Sequence, residues 1–221
     1  MRYYPANLDV KGKSCLVVGG GEVGARKAKT LAACGADVTV LSPEFSERCS
    51  RLEAEGVRLL CRKYSKEELD GVFLVFAATD DPCLNRTIKQ DADEKTTLCN
   101  IADWPEGSGF VLPAVVSRGD LVLTVSTGGR SPALAKKIRQ KLETEFGPEY
   151  ETMLILMGRI RDRLLSRARD PETHKHQFRE LIDRGLLTLI IQGNKTEIDN
   201  LLKSVLGDGF EYDDLMTEEG V

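Results

Sequence analysis

The 221-residue chain has two histidines and one tryptophan, and its six cysteines contain no Cys-x-x-Cys pair. His174 and His176 lie two apart, so on a helix they point in different directions and do not build a zinc site; both are expected as polar side chains on the protein surface. No run of eighteen apolar residues is present to span a bilayer. Met1-Arg2-Tyr3-Tyr4-Pro5 lacks the apolar stretch of a secretory signal. These absences place the chain in the cytoplasm with reduced, mostly buried thiols. Net charge is −4, and no nucleic-acid reader motif occurs, which disfavours DNA or RNA as partner. Internal repeats are also lacking.

What is present begins with an apolar run, Cys15-Leu16-Val17-Val18, feeding into Gly19-Gly20-Gly21-Glu22-Val23-Gly24. Glycines at 19, 21 and 24 allow a tight turn, a close approach to a pyrophosphate, and close packing of the following helix on its strand. The helix pattern Val23 to Cys34 stops at Gly35, and Ala36 to Leu41 reads as the second strand of a βαβ unit. A dinucleotide site is expected, with a doubly wound fold binding something else as the alternative. The second strand ends in Leu41-Ser42-Pro43-Glu44, where Glu44 is placed to accept a ribose hydroxyl; no arginine stands directly there, although Arg48 follows. NAD is therefore favoured over NADP. Glu22 is expected to turn aside from the phosphates, since an inward carboxylate would repel them.

Strands are expected at Val57 to Arg62, Val72 to Ala77 and Thr96 to Ile101, with a capping box at Ser65-Lys66-Glu67-Glu68 and a helix capped by Asp81 with Pro82 at its first position. Function should gather beyond the strand C-termini, at the glycine loop, at Thr79-Asp80-Asp81, and at Asn100 to Pro105. From Phe110 the pattern changes. Phe110 to Val116 and Leu121 to Ser126 flank Ser117-Arg118-Gly119-Asp120 as an antiparallel pair, and Ser131-Pro132 opens a helix reaching Phe146. The rest is helical to about 206. Five arginines, at 159, 161, 163, 167 and 169, crowd one helix, as a solvated face or a polyanion site. The last fifteen residues carry six acids and no base, the composition of a disordered tail.

The expected architecture is α/β: a Rossmann-type parallel sheet over 1–112, a β-hairpin and helix dimerisation region over 113–147, a helical domain over 148–206, and an acidic tail over 207–221. A hairpin and helix with few local partners suggests a homodimer.

Val17 to Ala28, Ala77-Ala78-Thr79-Asp80-Asp81, Cys99-Asn100-Ile101-Ala102-Asp103 and Ser126 to Pro132, taken in order, resemble the precorrin-2 dehydrogenase and sirohydrochlorin ferrochelatase family. The resemblance implies NAD-dependent oxidation of precorrin-2 to sirohydrochlorin in sirohaem synthesis. Some members also insert ferrous iron, and cobalt is the other metal to be considered; in certain bacteria the module is fused to a methyltransferase, whereas this chain looks like the free-standing form. The carry-over assigns the dinucleotide to Gly19, Gly21, Glu22, Val23 and Gly24, with Pro43 and Glu44 near the adenosine ribose and Thr79 and Asp80 along the cleft. Asp103 matches the family's active-site aspartate, and a carboxylate beside Trp104-Pro105 suits a base of raised pKa; capping a turn is its plain structural role. Arg130, Lys136, Lys137 and the arginine-bearing helix are candidates for the carboxylates of the substrate. Thr127 lies where some relatives have a serine associated with phosphorylation, and a β-branched residue ending a strand is its simpler reading. No metal-ligand cluster of cysteine and histidine is expected. A chelatase without dehydrogenase activity and a dinucleotide-sensing regulator are the competing readings.

Overall fold

The computed structural model describes residues 3–102, 104–167 and 171–217, which divide after Leu112 into two compact units. The first unit begins with β1 (Ser14–Gly20), α1 (Glu22–Ala33), β2 (Asp37–Phe45), α2 (Glu47–Arg51) and β3 (Arg58–Cys61). It continues with β4 (Leu74–Ala77), α3 (Pro82–Glu94) and β5 (Leu98–Ile101). The five strands form one parallel sheet in the order β3-β2-β1-β4-β5. This is a Rossmann-type sheet whose winding reverses between β1 and β4, so a crevice opens where their C-terminal ends diverge.

The central strands are apolar along their whole length because both faces are covered. Cys15 and Val17 pack with Ala25, Ala28 and Leu31 of α1 on one face. Leu16 and Val18 pack with Ile88 and Ala92 of α3 on the other. Two-residue alternation thus sends neighbouring side chains into two separate core layers. Burial pushes the Cys15 and Cys99 thiols up to about 11, desolvation of the thiolate being the main cause. All six cysteines are unpaired; Cys34, Cys61 and Cys83 are exposed, contrary to the expectation of mostly buried thiols, because they fall at the ends or outer faces of their elements.

Strand ends differ from the sequence expectation where turns take over. Ser65 precedes a 3₁₀ turn over Lys66–Leu69 and makes no side-chain cap there. Asp81 does cap α3, accepting from Cys83 N at 2.8 Å and Leu84 N at 3.2 Å, with Pro82 at the helix start.

The second unit opens with β6 (Ala114–Arg118) and β7 (Leu121–Val125), an antiparallel hairpin, followed by α4 (Pro132–Glu145). The Ser131 side chain caps α4 by accepting from Leu134 N. Then come α5 (Glu149–Ser166), α6 (Pro171–Asp183), α7 (Leu186–Gln192), α8 (Lys195–Leu206) and α9 (Tyr212–Thr217). Their apolar faces converge on Leu156, Ile160, Leu164, Leu181, Leu186 and Leu202.

Three sequence expectations are corrected in this unit. The acidic segment is not a disordered tail over 207–217: Phe210 and Leu215 are buried in the helical core, so apolar anchors outweigh the charge around them. The arginine row on α5 is not simply a solvated face. Arg159 donates to Leu215 O, Arg163 to Gly209 O at 2.8 Å, and Arg167 to Asp208 O at 3.2 Å, so the stripe fastens the following chain to the helix. Arg161 is exposed, and Arg169 falls outside the described residues. His174 is buried rather than a surface group, while His176 is exposed beside Glu180.

Candidate active site

A cleft of about 770 Å³ lies at the reversal of the sheet, bounded by the ends of β1, β2 and β4 and the first turn of α1. Gly19, Gly21, Glu22, Val23, Pro43, Glu44, Thr79 and Asp80 all line it. Gly24 does not; it sits beneath the loop, where a Cβ would stand 1.9 Å from the Gly19 carbonyl oxygen. Gly19 has φ +118°, and a side chain there would collide with Ala78 O at 2.3 Å. Its missing Cβ lets the ends of β1 and β4 meet, while Ala78 N donates to Val18 O.

Gly20 carries a role that the three-glycine pattern did not assign. A Cβ on it would lie 2.3 Å from Glu44 O, and its carbonyl accepts from Ser46 N at 2.8 Å. The register shift at this point folds residues 42–46 over the end of β1, which brings Ser42, Phe45 and Ser46 into the cleft beside Pro43 and Glu44. By contrast, nothing lies within 4 Å of a Cβ placed on Gly21, leaving open space at the N-terminus of α1. Exposed backbone N–H groups and the positive end of a helix dipole there suit an anion such as a pyrophosphate.

Glu22 is turned aside, its Oε2 lying 3.4 Å from Nη1 of Arg48 on α2. Both side chains are largely exposed, so the pair adds little stability; it holds the Glu22 carboxylate towards Arg48 at the lip of the cleft.

The Thr79 turn is held by Asn85, a buried residue of α3 that the sequence pattern did not single out. Thr79 N and Thr79 Oγ1 both approach Asn85 Oδ1, at 3.2 and 2.7 Å, and Asn85 Nδ2 donates back to Thr79 O at 3.1 Å. An asparagine four residues after the capping Asp81, on the inner side of α3, is the signal that could have found it.

Asp103 lies outside the described residues. The loop around it is tied to β5: Ser108 Oγ accepts from Ile101 N at 2.9 Å and donates to Trp104 O at 3.1 Å, and Gly109 N donates to Cys99 O at 2.8 Å. Arg130, Lys136 and Lys137 are exposed in the second unit, Arg130 in the turn before α4 and the lysines on the outer side of that helix. Thr127 does not end a strand as expected: β7 stops at Val125, and Thr127 Oγ1 accepts from Ser131 N at 3.2 Å in the turn before α4. Among the described residues, no group of three or more His, Cys, Asp or Glu side chains is arranged to hold a metal ion, and no helix is long and apolar enough to cross a membrane.

Residues 6–114 match the NAD(P)-binding family, and residues 118–145 match the family described as the central part of sirohaem biosynthesis proteins. A sirohaem synthase from Nitrosococcus oceani is 33% identical over 211 residues, covering 95% of this chain and 45% of that protein. One from Azotobacter vinelandii is 34% identical over 207 residues, covering 93% and 45%. The chain therefore spans about half the length of the curated relatives it matches. A solved structure titled SirC, precorrin-2 dehydrogenase, superposes with a TM-score of 0.78 at 29% identity, covering 92% of this chain and 98% of that one.

Proposed function

The chain belongs to the sirohaem-biosynthesis family of NAD(P)-binding proteins, and from that premise we propose that it oxidises precorrin-2 to sirohydrochlorin with NAD⁺. The observation that carries this reading is the glycine-walled cleft at the sheet reversal, in a chain that follows a protein titled precorrin-2 dehydrogenase over nearly its whole length.

The cleft fits a nicotinamide dinucleotide. Gly19, Gly21, Glu22, Val23 and Gly24 form or support the pyrophosphate turn, Pro43 and Glu44 flank the adenosine ribose, and Thr79 and Asp80 border the path towards the nicotinamide. When bound, the cofactor accepts a hydride. NAD is favoured over NADP in this reading because Glu44 offers an acceptor at the ribose end and Arg48, the nearest candidate for a 2′-phosphate, is engaged by Glu22. Asp103 takes the proton released as conjugation extends through the macrocycle, so each turnover yields one sirohydrochlorin, one NADH and one proton. Arg130, Lys136 and Lys137 offer cations to the substrate carboxylates.

Iron or cobalt enters this scheme as a substrate. The pyrrole nitrogens of sirohydrochlorin supply the ligands, so insertion needs no resident metal site, only a group such as Asp103 to accept the displaced protons. The protein acts as a homodimer through the hairpin and α4, where Val115, Val122, Leu134 and Ile138 are exposed. Six unpaired thiols suit the cytoplasm. Thr127 serves the turn before α4 rather than regulation.

The test is anaerobic incubation of wild-type and Asp103→Asn protein with precorrin-2 and NAD⁺, then with sirohydrochlorin and ferrous or cobaltous ion. Asp103→Asn should lose at least about a hundredfold in dehydrogenation with NADH affinity unchanged. Wild-type metal insertion without any oxidation would replace this reading with a chelatase; NADH binding without tetrapyrrole binding would replace it with a dinucleotide sensor.

A further inference from the structure

Trp104, the single tryptophan of the chain, is 44% exposed at the C-terminal edge of the sheet just beyond β5. Large indoles are ordinarily well buried, so its exposure requires a reason. The ring is also held in place. It packs on Gly107, where an added Cβ would stand 2.4 Å from the ring atom Cε3, and its backbone carbonyl is tied to Ser108. The guanidinium carbon of Arg86 lies 5.7 Å from the ring centroid.

Arg86 follows Asn85 on α3, and Asn85 is bonded to the cleft-lining Thr79. Leu84, one residue earlier still, lines the cleft itself. The Ala77 carbonyl accepts from Ala102 N at 3.0 Å, so the chain segments leading to Arg86 and to Trp104 leave the sheet side by side. No carboxylate among the described residues forms an ion pair with Arg86. An arginine resting against a ring still presents its N–H edges for a forked interaction with a carboxylate.

We propose that Trp104 and Arg86 form a substrate subsite, the indole as a stacking surface for one conjugated edge of the tetrapyrrole and the guanidinium as the anchor of a peripheral carboxylate. This rests on the dehydrogenase reading for the identity of the ligand. The subsite binds precorrin-2 and sirohydrochlorin alike and leaves the dinucleotide untouched, because neither side chain lines the cleft. A polycarboxylated flat ligand is what the pair recognises: stacking supplies apolar contact, and the fork fixes orientation.

The experiment compares wild type, Arg86→Ala, Arg86→Lys, Trp104→Ala and Trp104→Phe in the full chain. Sirohydrochlorin affinity is read from the tetrapyrrole absorbance, NADH affinity from nucleotide fluorescence, and KM for precorrin-2 and for NAD⁺ from anaerobic turnover. Arg86→Ala and Trp104→Ala should each weaken sirohydrochlorin binding by about tenfold and raise KM for precorrin-2 in parallel, with NADH affinity within about twofold of wild type. Arg86→Lys and Trp104→Phe should recover part of the loss. Unchanged sirohydrochlorin affinity in both alanine variants would overturn the proposal, as would an equal fall in tetrapyrrole and NADH affinity, the signature of a clasp that merely orders the loop. Wild-type protein that binds sirohydrochlorin but does not oxidise precorrin-2 removes the dehydrogenase reading alone, and the binding comparison still decides the subsite. Absence of any tetrapyrrole binding overturns both.

Discussion

Gly19 shows how a single missing atom shapes the site. At φ +118°, with Ala78 O 2.3 Å from the place of a Cβ, it can accept no side chain without parting β1 from β4. Gly19→Ala should therefore destabilise the first unit by about 1–3 kcal/mol and weaken NADH binding, as thermal melting and fluorescence titration would measure. Retained stability and affinity would show that the loop can relax elsewhere. The buried thiols give a second prediction at this scale. Burial pushes the Cys15 and Cys99 thiols up to about 11, so they should stay protonated at pH 8 and resist an aromatic disulfide reagent, whereas exposed Cys34, Cys61 and Cys83 should react within minutes. Because these two folded-state values lie above the ordinary thiol value, their contribution to stability is intact below about pH 8.5 and declines as pH rises towards 11. Chemical denaturation at pH 8 and 10.5 should show that loss, and rising stability over the same interval would contradict it.

At the scale of elements, much was legible because local chemistry and tertiary environment agreed. The all-apolar Val17-Val18 run is a two-sided parallel strand, and Asp81-Pro82 is a cap followed by a helix start. The misreadings arose where long-range partners decide. Nothing local to the acidic final segment announces that Phe210 and Leu215 enter a core built by α5 and α8, or that arginines at 159, 163 and 167 reach across to its carbonyls. The role of Gly20 was hidden similarly, since it depends on the backbone of β2 lying against it. Pro43 and Glu44 were recognisable from their position after the second strand, but Asn85 required knowing which side of α3 faces the Thr79 turn. Leu215, fully buried, provides the test of the closing segment: Leu215→Ala should cost about 2–5 kcal/mol, seen in the thermal transition of the helical unit. A change below about 0.5 kcal/mol would mean that α9 frays without consequence.

For the whole molecule, association and chemistry are the properties to be measured. One face of the hairpin leaves Val115 and Val122 exposed and α4 leaves Leu134 and Ile138 exposed, apolar surface that is costly for a monomer and suited to a self-complementary contact. Val122→Lys should convert a dimer of the wild-type chain into a monomer in sedimentation velocity, with the secondary structure unchanged. A wild-type monomer at micromolar concentration would remove the dimer from the account. The proposed reaction moves electrons from precorrin-2 to an acceptor in the glycine-walled cleft. Anaerobic turnover that follows NADH at 340 nm together with the sirohydrochlorin spectrum tests it most directly. The account predicts one NADH for each sirohydrochlorin formed, with NAD⁺ used in preference to NADP⁺; sirohydrochlorin appearing at the same rate without NAD⁺, or no NADH at all, would contradict it.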